Sequence, residues 1–168
     1  QLLQFSDKTD EQIYKREDTV NYLDKVISEY ISTALATPNL NVNISQALSS
    51  YYLMLVDIER ISDYAVNMNH QATKRLQGDM TISEIEIVEH MKKLCVDMKN
   101  DLDDVEEAER KDDVIDSLVS SWREAQIQAL KQKKCSSEVS MMLSRIFTDF
   151  ERINDHALNV SQELDKIT

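Results

Sequence analysis

The sequence predicts an all-α protein, an antiparallel bundle of four to five long helices. Its 168 residues include one glycine and one proline, too few for the turns of a β-rich domain. Apolar residues recur at spacings of three and four along most of the chain, as on one face of an α-helix. A helical segment of the first half also recurs in the second, which predicts two helical hairpins that share one core.

The first two helices are separated by the single proline. An apolar stripe predicts a first helix to about Ala36, and it ends there because the residue before Pro38 disfavours helical geometry. Asn43 or Ser45 can cap the second helix, since both side chains can accept a hydrogen bond from a free backbone N–H. Gly78 is expected to end it.

The second half begins with Thr81, which stands three residues before a glutamate and so forms a capping box for a third helix. No helix-breaking residue follows in residues 81–134. Two interpretations remain open there: one long bent helix, or two helices with a break at residues 109–113, where charge is densest. Ser136 or Ser137 is expected to begin the last helix, which continues nearly to the end.

Composition narrows the functional classes. The formal net charge is −12, which disfavours nucleic acid and anionic membranes as partners and favours cations. No apolar stretch reaches the roughly 20 residues of a membrane span and no signal peptide is present, so we expect a soluble segment without bilayer insertion. Because no nucleophile motif or glycine-rich phosphate loop is present, we expect no catalysis. The start at Gln1 suggests a fragment of a longer protein.

An internal repeat is the strongest signal in the sequence. Asp57-Ile-Glu-Arg-Ile-Ser-Asp-Tyr-Ala-Val-Asn67 matches Asp149-Phe-Glu-Arg-Ile-Asn-Asp-His-Ala-Leu-Asn159 at seven of eleven positions. The preceding helices also align, residues 17–23 with residues 112–118. We therefore expect a single domain over residues 1–168, with one repeat at about 11–78 and the other at about 106–168.

Acidic residues four positions apart lie on one side of each repeated helix. Because like charges at this spacing repel, compensation is expected either from Arg60 and Arg152 or from a metal ion. Oxygen ligands without thiolate or imidazole suit magnesium, manganese or iron better than zinc. The pairs are Glu59 with Asp63, Glu151 with Asp155, Asp112 with Asp116, and Glu17 with the amide Asn21.

The two repeated segments resemble the Glu-Arg-Ile-Gly-Asp-x-Ala-x-Asn signature of PhoU proteins, with Ser62 and Asn154 in place of the glycine. The resemblance covers nearly the whole chain. It implies a regulatory, non-enzymatic domain in phosphate homeostasis, without an organic cofactor, that binds clusters of iron, manganese, magnesium or zinc ions. The ligands implied are Glu59, Asp63, Glu151, Asp155, Asp112, Asp116 and Glu17. Glu17 differs from the others in that the residue paired with it, Asn21, is an amide.

The order of the helices is similar to that of the PhoU-like domain following the membrane region of bacterial sodium/phosphate cotransporters. This implies a position at the cytoplasmic face of the membrane, with the transporter's membrane domain as partner in cis. Two alternatives remain: a stand-alone regulator acting on a phosphate transport or signalling protein, and a metal-free bundle that forms a homodimer or docks a partner helix.

Overall fold

The computed structural model describes residues 7–75 and 82–168, and the side chains of residues 11–70 and 85–168. All regular structure in these ranges is α-helical, which confirms the predicted fold class. The region between residues 82 and 131 forms two helices, so the long continuous helix is excluded. The five helices are α1 (Asp7–Leu35), α2 (Val42–Arg75), α3 (Ile82–Asn100), α4 (Val105–Lys131) and α5 (Ser137–Asp165).

The turn between α1 and α2 contains Pro38, as predicted, but Asn41 and not a predicted residue caps α2. The Asn41 side chain accepts a hydrogen bond from the backbone N–H of Asn43 at 2.8 Å, so the caps predicted at Asn43 and Ser45 were wrong. Asn39 has a φ of 60°, a left-handed conformation that asparagine tolerates better than most residues. The two asparagines reverse the chain without a glycine.

The break between α3 and α4 lies at residues 101–104, not at the predicted residues 109–113, which are helical. Asp104 caps α4, because its carboxylate accepts a hydrogen bond from the backbone N–H of Glu107 at 3.1 Å. Asp101 pairs with the ammonium group of Lys111. Dense charge does not break α4, because opposite charges three and four residues apart pair along it.

Helix α5 is the central element. It packs against α2, α3 and α4, whereas α1, within the described residues, packs only against α2. The α5 residues Leu143, Ile146 and Phe147 are almost fully buried. The core around them also includes Val88, Met91, Ile115, Val119, Val139 and Phe150. Burying side chains of this size stabilises a fold by about 1.5–3 kcal/mol each, so this region stabilises the second half of the molecule.

The ends of the remaining helices are partly described. Ser136 caps α5 by accepting a hydrogen bond from the Val139 N–H at 3.2 Å, which confirms one of its two predicted starts. The predictions that Gly78 ends α2 and that Thr81 opens α3 lie outside the described residues. Within residues 7–75 and 82–168, none of the helices combines the length and the hydropathy that a membrane span requires.

Replacement of Asp104 by alanine removes the cap of α4. We expect a loss of about 1 kcal/mol in the free energy of unfolding, measured by urea denaturation. The control is Asp103→Ala, since Asp103 is exposed and lies outside the helix. Equal effects of the two substitutions would show that the Asp104 cap contributes nothing specific.

Candidate metal site

Three carboxylates meet where α4 packs against α5. Asp112 and Asp116 lie four residues apart on one side of α4, and Asp155 lies on α5. One oxygen of each lies within 4.8 Å of an oxygen of the other two. Three of the seven residues predicted as metal ligands are therefore brought together, from two different helices.

One oxygen of the Asp112 carboxylate lies in a distinctive environment. Its Oδ1 atom is buried and has no hydrogen-bond partner. A buried carboxylate oxygen without a partner destabilises the folded state, because it has lost its hydrogen bonds to water and has formed none within the protein. A cation between the three carboxylates would supply the missing interaction, so the donor set fits a metal that prefers oxygen ligands.

The electrostatics of this cluster favour protonation or a bound cation. Burial, followed by repulsion from Asp116, Asp155 and Asp113, raises the pKa of Asp112 from 3.8 to about 6. Burial and the charges of Asp155 and Asp113 raise the pKa of Asp116, which Arg123 partly opposes. Both shifts have the sign expected where negative charges share a partly desolvated site.

Glu151, also predicted as a ligand, is held by an arginine. Arg123 of α4 donates through Nη1 to Glu151 Oε1 at 2.8 Å, and its Nη2 donates to Oε2 and to the hydroxyl of Thr148. Arg152 donates a longer bond of 3.3 Å to Asp155. Arg152, one of the two arginines predicted to compensate the acidic charge, thus contacts a member of the cluster. The bidentate pair with Glu151, however, is made by Arg123, which was not predicted.

The first repeat has a different donor set. Glu17 and Asp63 are half-buried, but Asn21 stands where the second repeat has Asp116, so one carboxylate is replaced by an amide. Glu59 lies 3.8 Å from the guanidinium of its neighbour Arg60, and it is also half-buried. The three-carboxylate cluster found among the described residues belongs to the second repeat.

A contact between the two repeated motifs was missed from the sequence. His156 Nδ1 lies 2.7 Å from Asp57 Oδ1, and its ring stacks on Tyr64 at a centroid distance of 5.8 Å. Asn159 donates to the same Asp57 oxygen at 3.2 Å. The pairs Arg123–Glu151 and His156–Asp57 join residues 28 and 99 positions apart, and no local sequence pattern marks partners at such distances.

Five helices with an acidic signature repeated on α2 and α5 define the chain as a duplicated helical domain. A family model described as "PhoU domain" matches residues 2–72 and 82–164. The chain belongs to the PhoU domain family.

Known relatives agree with this assignment. The chain is 24% identical over 164 residues to the phosphate-specific transport system accessory protein PhoU homolog 1 of Thermotoga maritima, covering 90% of this chain and 69% of that protein. The crystal structure of PhoU from Pseudomonas aeruginosa superposes with a TM-score of 0.76 at 18% identity, covering 94% of this chain and 80% of the other. At this low identity the superposition shows that the fold is shared.

The raised pKa of Asp112 predicts a pH-dependent stability. Between pH 4 and pH 6 the folded protein keeps a proton that the unfolded chain has lost, so stability falls as the pH rises through this window. In chelator-treated protein, Asp112→Asn should raise the free energy of unfolding at pH 7.5 by on the order of 1 kcal/mol, allowing for solvent screening, and have little effect at pH 4.

Thermal and urea unfolding at both pH values check this expectation. Glu124→Gln is the matched control, because it removes an exposed carboxylate from the same helix. A gain that is the same at both pH values, or the same in the control, contradicts the assignment of the destabilising charge to Asp112.

Proposed function

We propose that this chain is a regulatory, non-enzymatic domain in phosphate transport that binds a metal ion between α4 and α5. Family membership and the phosphate-transport name of the relative from Thermotoga maritima support the regulatory part. The buried, unpartnered oxygen of Asp112 beside two further carboxylates supports the metal part. This oxygen is the single observation that carries the metal proposal.

The ion would be held by Asp112, Asp116 and Asp155. Carboxylate oxygens favour magnesium, manganese or iron over zinc. When bound, the ion supplies positive charge that offsets the repulsion between the three carboxylates. Since two ligands come from α4 and one from α5, binding would stabilise the packing of these helices and couple metal occupancy to the folded state.

The remaining predicted ligands are proposed as additional or weaker positions. Both oxygens of Glu151 accept hydrogen bonds from Arg123, so a metal at Glu151 would compete with this arginine for the carboxylate. The first repeat offers fewer carboxylates than the second, because Asn21 stands in place of one of them. Those that it has are Glu17, Glu59 and Asp63. We therefore propose the second repeat as the tighter site.

The protein context proposed is a sodium/phosphate cotransporter, with this domain at the cytoplasmic face of the membrane and the transporter's membrane domain as its partner in cis. The support is the resemblance in the order of the helices. The rival context, a stand-alone regulator of a phosphate transport system, is supported by the accessory-protein name of the Thermotoga maritima relative.

Metal binding is tested by elemental analysis of the purified domain after incubation with manganese or ferrous iron and desalting. We expect stoichiometric metal in the wild type and at least ~10-fold less in Asp112→Asn/Asp116→Asn/Asp155→Asn, because the ligand carboxylates are lost. The matched control removes three exposed carboxylates elsewhere: Asp103→Asn/Glu124→Gln/Asp165→Asn.

A chelator should lower the melting temperature of the wild type and of the control but not that of the ligand variant. Metal retained by the ligand variant would place the site elsewhere. A wild type that takes up no metal would favour the metal-free interaction module, for which the exposed apolar surface of α1 and α2 is the specific support.

The two contexts differ in where the native protein is found. We expect an antibody against this domain to detect, in the source cells, a protein larger than its 19.4 kDa that sediments with membranes and is released only by detergent. With Asp112→Asn and Asp116→Asn in the native gene, phosphate uptake should respond differently to external phosphate at an unchanged protein level. A protein released by salt or buffer would instead support the stand-alone regulator.

A further inference from the structure

The arginine that pairs with Glu151 lies beside the acidic cluster. Arg123 follows Asp116 on α4 by seven residues, which is about two helical turns. Glu151 precedes Asp155 on α5 by four residues, about one turn. Burial and the charge of Asp155 raise the pKa of Asp116, and the positive charge of Arg123 opposes this rise. The guanidinium therefore acts on the cluster as well as on Glu151.

Three hydrogen bonds fix the guanidinium of Arg123. Nη1 donates to Glu151 Oε1 at 2.8 Å, and Nη2 donates to Glu151 Oε2 and, at 3.0 Å, to the hydroxyl of Thr148. A bidentate pair of this kind is stronger and more directional than a single contact. The arginine and glutamate side chains are 34% and 22% exposed, so salt screens the pair less than it screens a fully exposed one. Both oxygens of Glu151 thus contact a cation that belongs to the chain.

The first repeat provides an internal comparison, because it lacks this arginine. Ser28 of α1 aligns with Arg123 of α4 through the repeat, and Glu59 of α2 aligns with Glu151 of α5. In the described part of the chain, the ion-pair partner of Glu59 is the adjacent Arg60, at 3.8 Å, and this contact is not bidentate. The repeated fold therefore does not require the arginine, and the bidentate pair is a feature of the second repeat.

We infer that Arg123 determines how many metal ions the second repeat binds: its guanidinium takes the place of an ion at Glu151 and so keeps this carboxylate out of the metal site. The inference rests on the metal binding proposed above. A guanidinium that binds both carboxylate oxygens competes directly with a metal for them. Without the arginine, Glu151 could share an ion with Asp155, which lies one turn away on the same helix.

A guanidinium and a metal ion differ in what controls their presence. Arg123 is always charged and is part of the chain, so the charge of Glu151 is offset at every pH and at every metal concentration. The carboxylates of Asp112, Asp116 and Asp155 have no such bidentate partner among the described residues. Only this part of the contact between α4 and α5 would therefore respond to the supply of metal.

The inference is tested by counting metal ions in Arg123→Ser, which gives the second repeat the residue of the first. After incubation with manganese and desalting, elemental analysis should find one more ion per chain than in the wild type, because Glu151 becomes free to act as a ligand. Arg123→Ser/Glu151→Gln removes both partners and leaves the net charge unchanged. It should bind as many ions as the wild type, because the additional ligand is lost again.

The matched control is Arg110→Ser. Arg110 makes a similar bidentate pair with Glu107, but both residues lie on α4 and the arginine is exposed. This variant changes the net charge as Arg123→Ser does, and it should bind the same number of ions as the wild type. Circular dichroism and thermal melts show whether each variant is folded, and Arg123→Gln, with the same expected gain, replaces Arg123→Ser if the serine variant does not fold.

An unchanged number of ions in the folded Arg123 variant overturns the inference, as does an equal gain in the Arg110 control. Loss of metal from the double variant overturns it too, because Glu151 would then be a ligand in the wild type. A wild type without metal contradicts the proposed site at Asp112 instead. In that case an ion bound by Arg123→Ser still supports the role of Arg123, and no ion in either protein overturns both proposals.

Discussion

The packing of α5 against three other helices is the constraint on which the rest of this structure depends. Its residues Leu143, Ile146 and Phe147 are almost completely removed from water, and α2, α3 and α4 each contact it. Because close-packed side chains tolerate little displacement, the position of α5 determines where its polar residues face. On one side they face α4, and on another they face α2, where His156 meets Asp57.

The acidic cluster is a consequence of this packing. Burial of the core side chains at the α4/α5 contact places the polar residues on the adjacent faces of these helices opposite one another. Asp112, Asp116 and Asp155 then lie close enough to raise the pKa of Asp112 and of Asp116. Protons, Arg152 and a metal ion are alternative means of offsetting this charge. Hydrophobic packing thus holds like charges close together, and under the proposed metal binding a cation would relieve their repulsion.

The two repeats have diverged in complementary ways. The second combines three carboxylates with a third helix, α3, that packs against both α4 and α5, whereas the first has Asn21 in place of one carboxylate and, within residues 7–75 and 82–168, no third helix that packs against both α1 and α2. On α1 of the first repeat, the large side chains of Tyr22, Val26 and Tyr30 are exposed, and the aligned residues of the second repeat are Ser117, Ser121 and Ala125. The proposed metal site accordingly lies in the second repeat.

The sequence by itself determined the fold class and the family and narrowed the start of α5 to Ser136 or Ser137, because helical periodicity, the scarcity of glycine and proline, and the repeated motif can be read directly from it. The sequence did not locate the break at residues 101–104. Aspartates are common there and can also lie in the first turn of a helix, so only the backbone geometry shows that Asp104 is the residue that caps α4. The sequence named seven acidic residues of one chemical type. Only the tertiary structure decided that Asp112, Asp116 and Asp155 meet while Glu151 pairs with Arg123, because proximity across helices depends on packing and not on spacing along the chain.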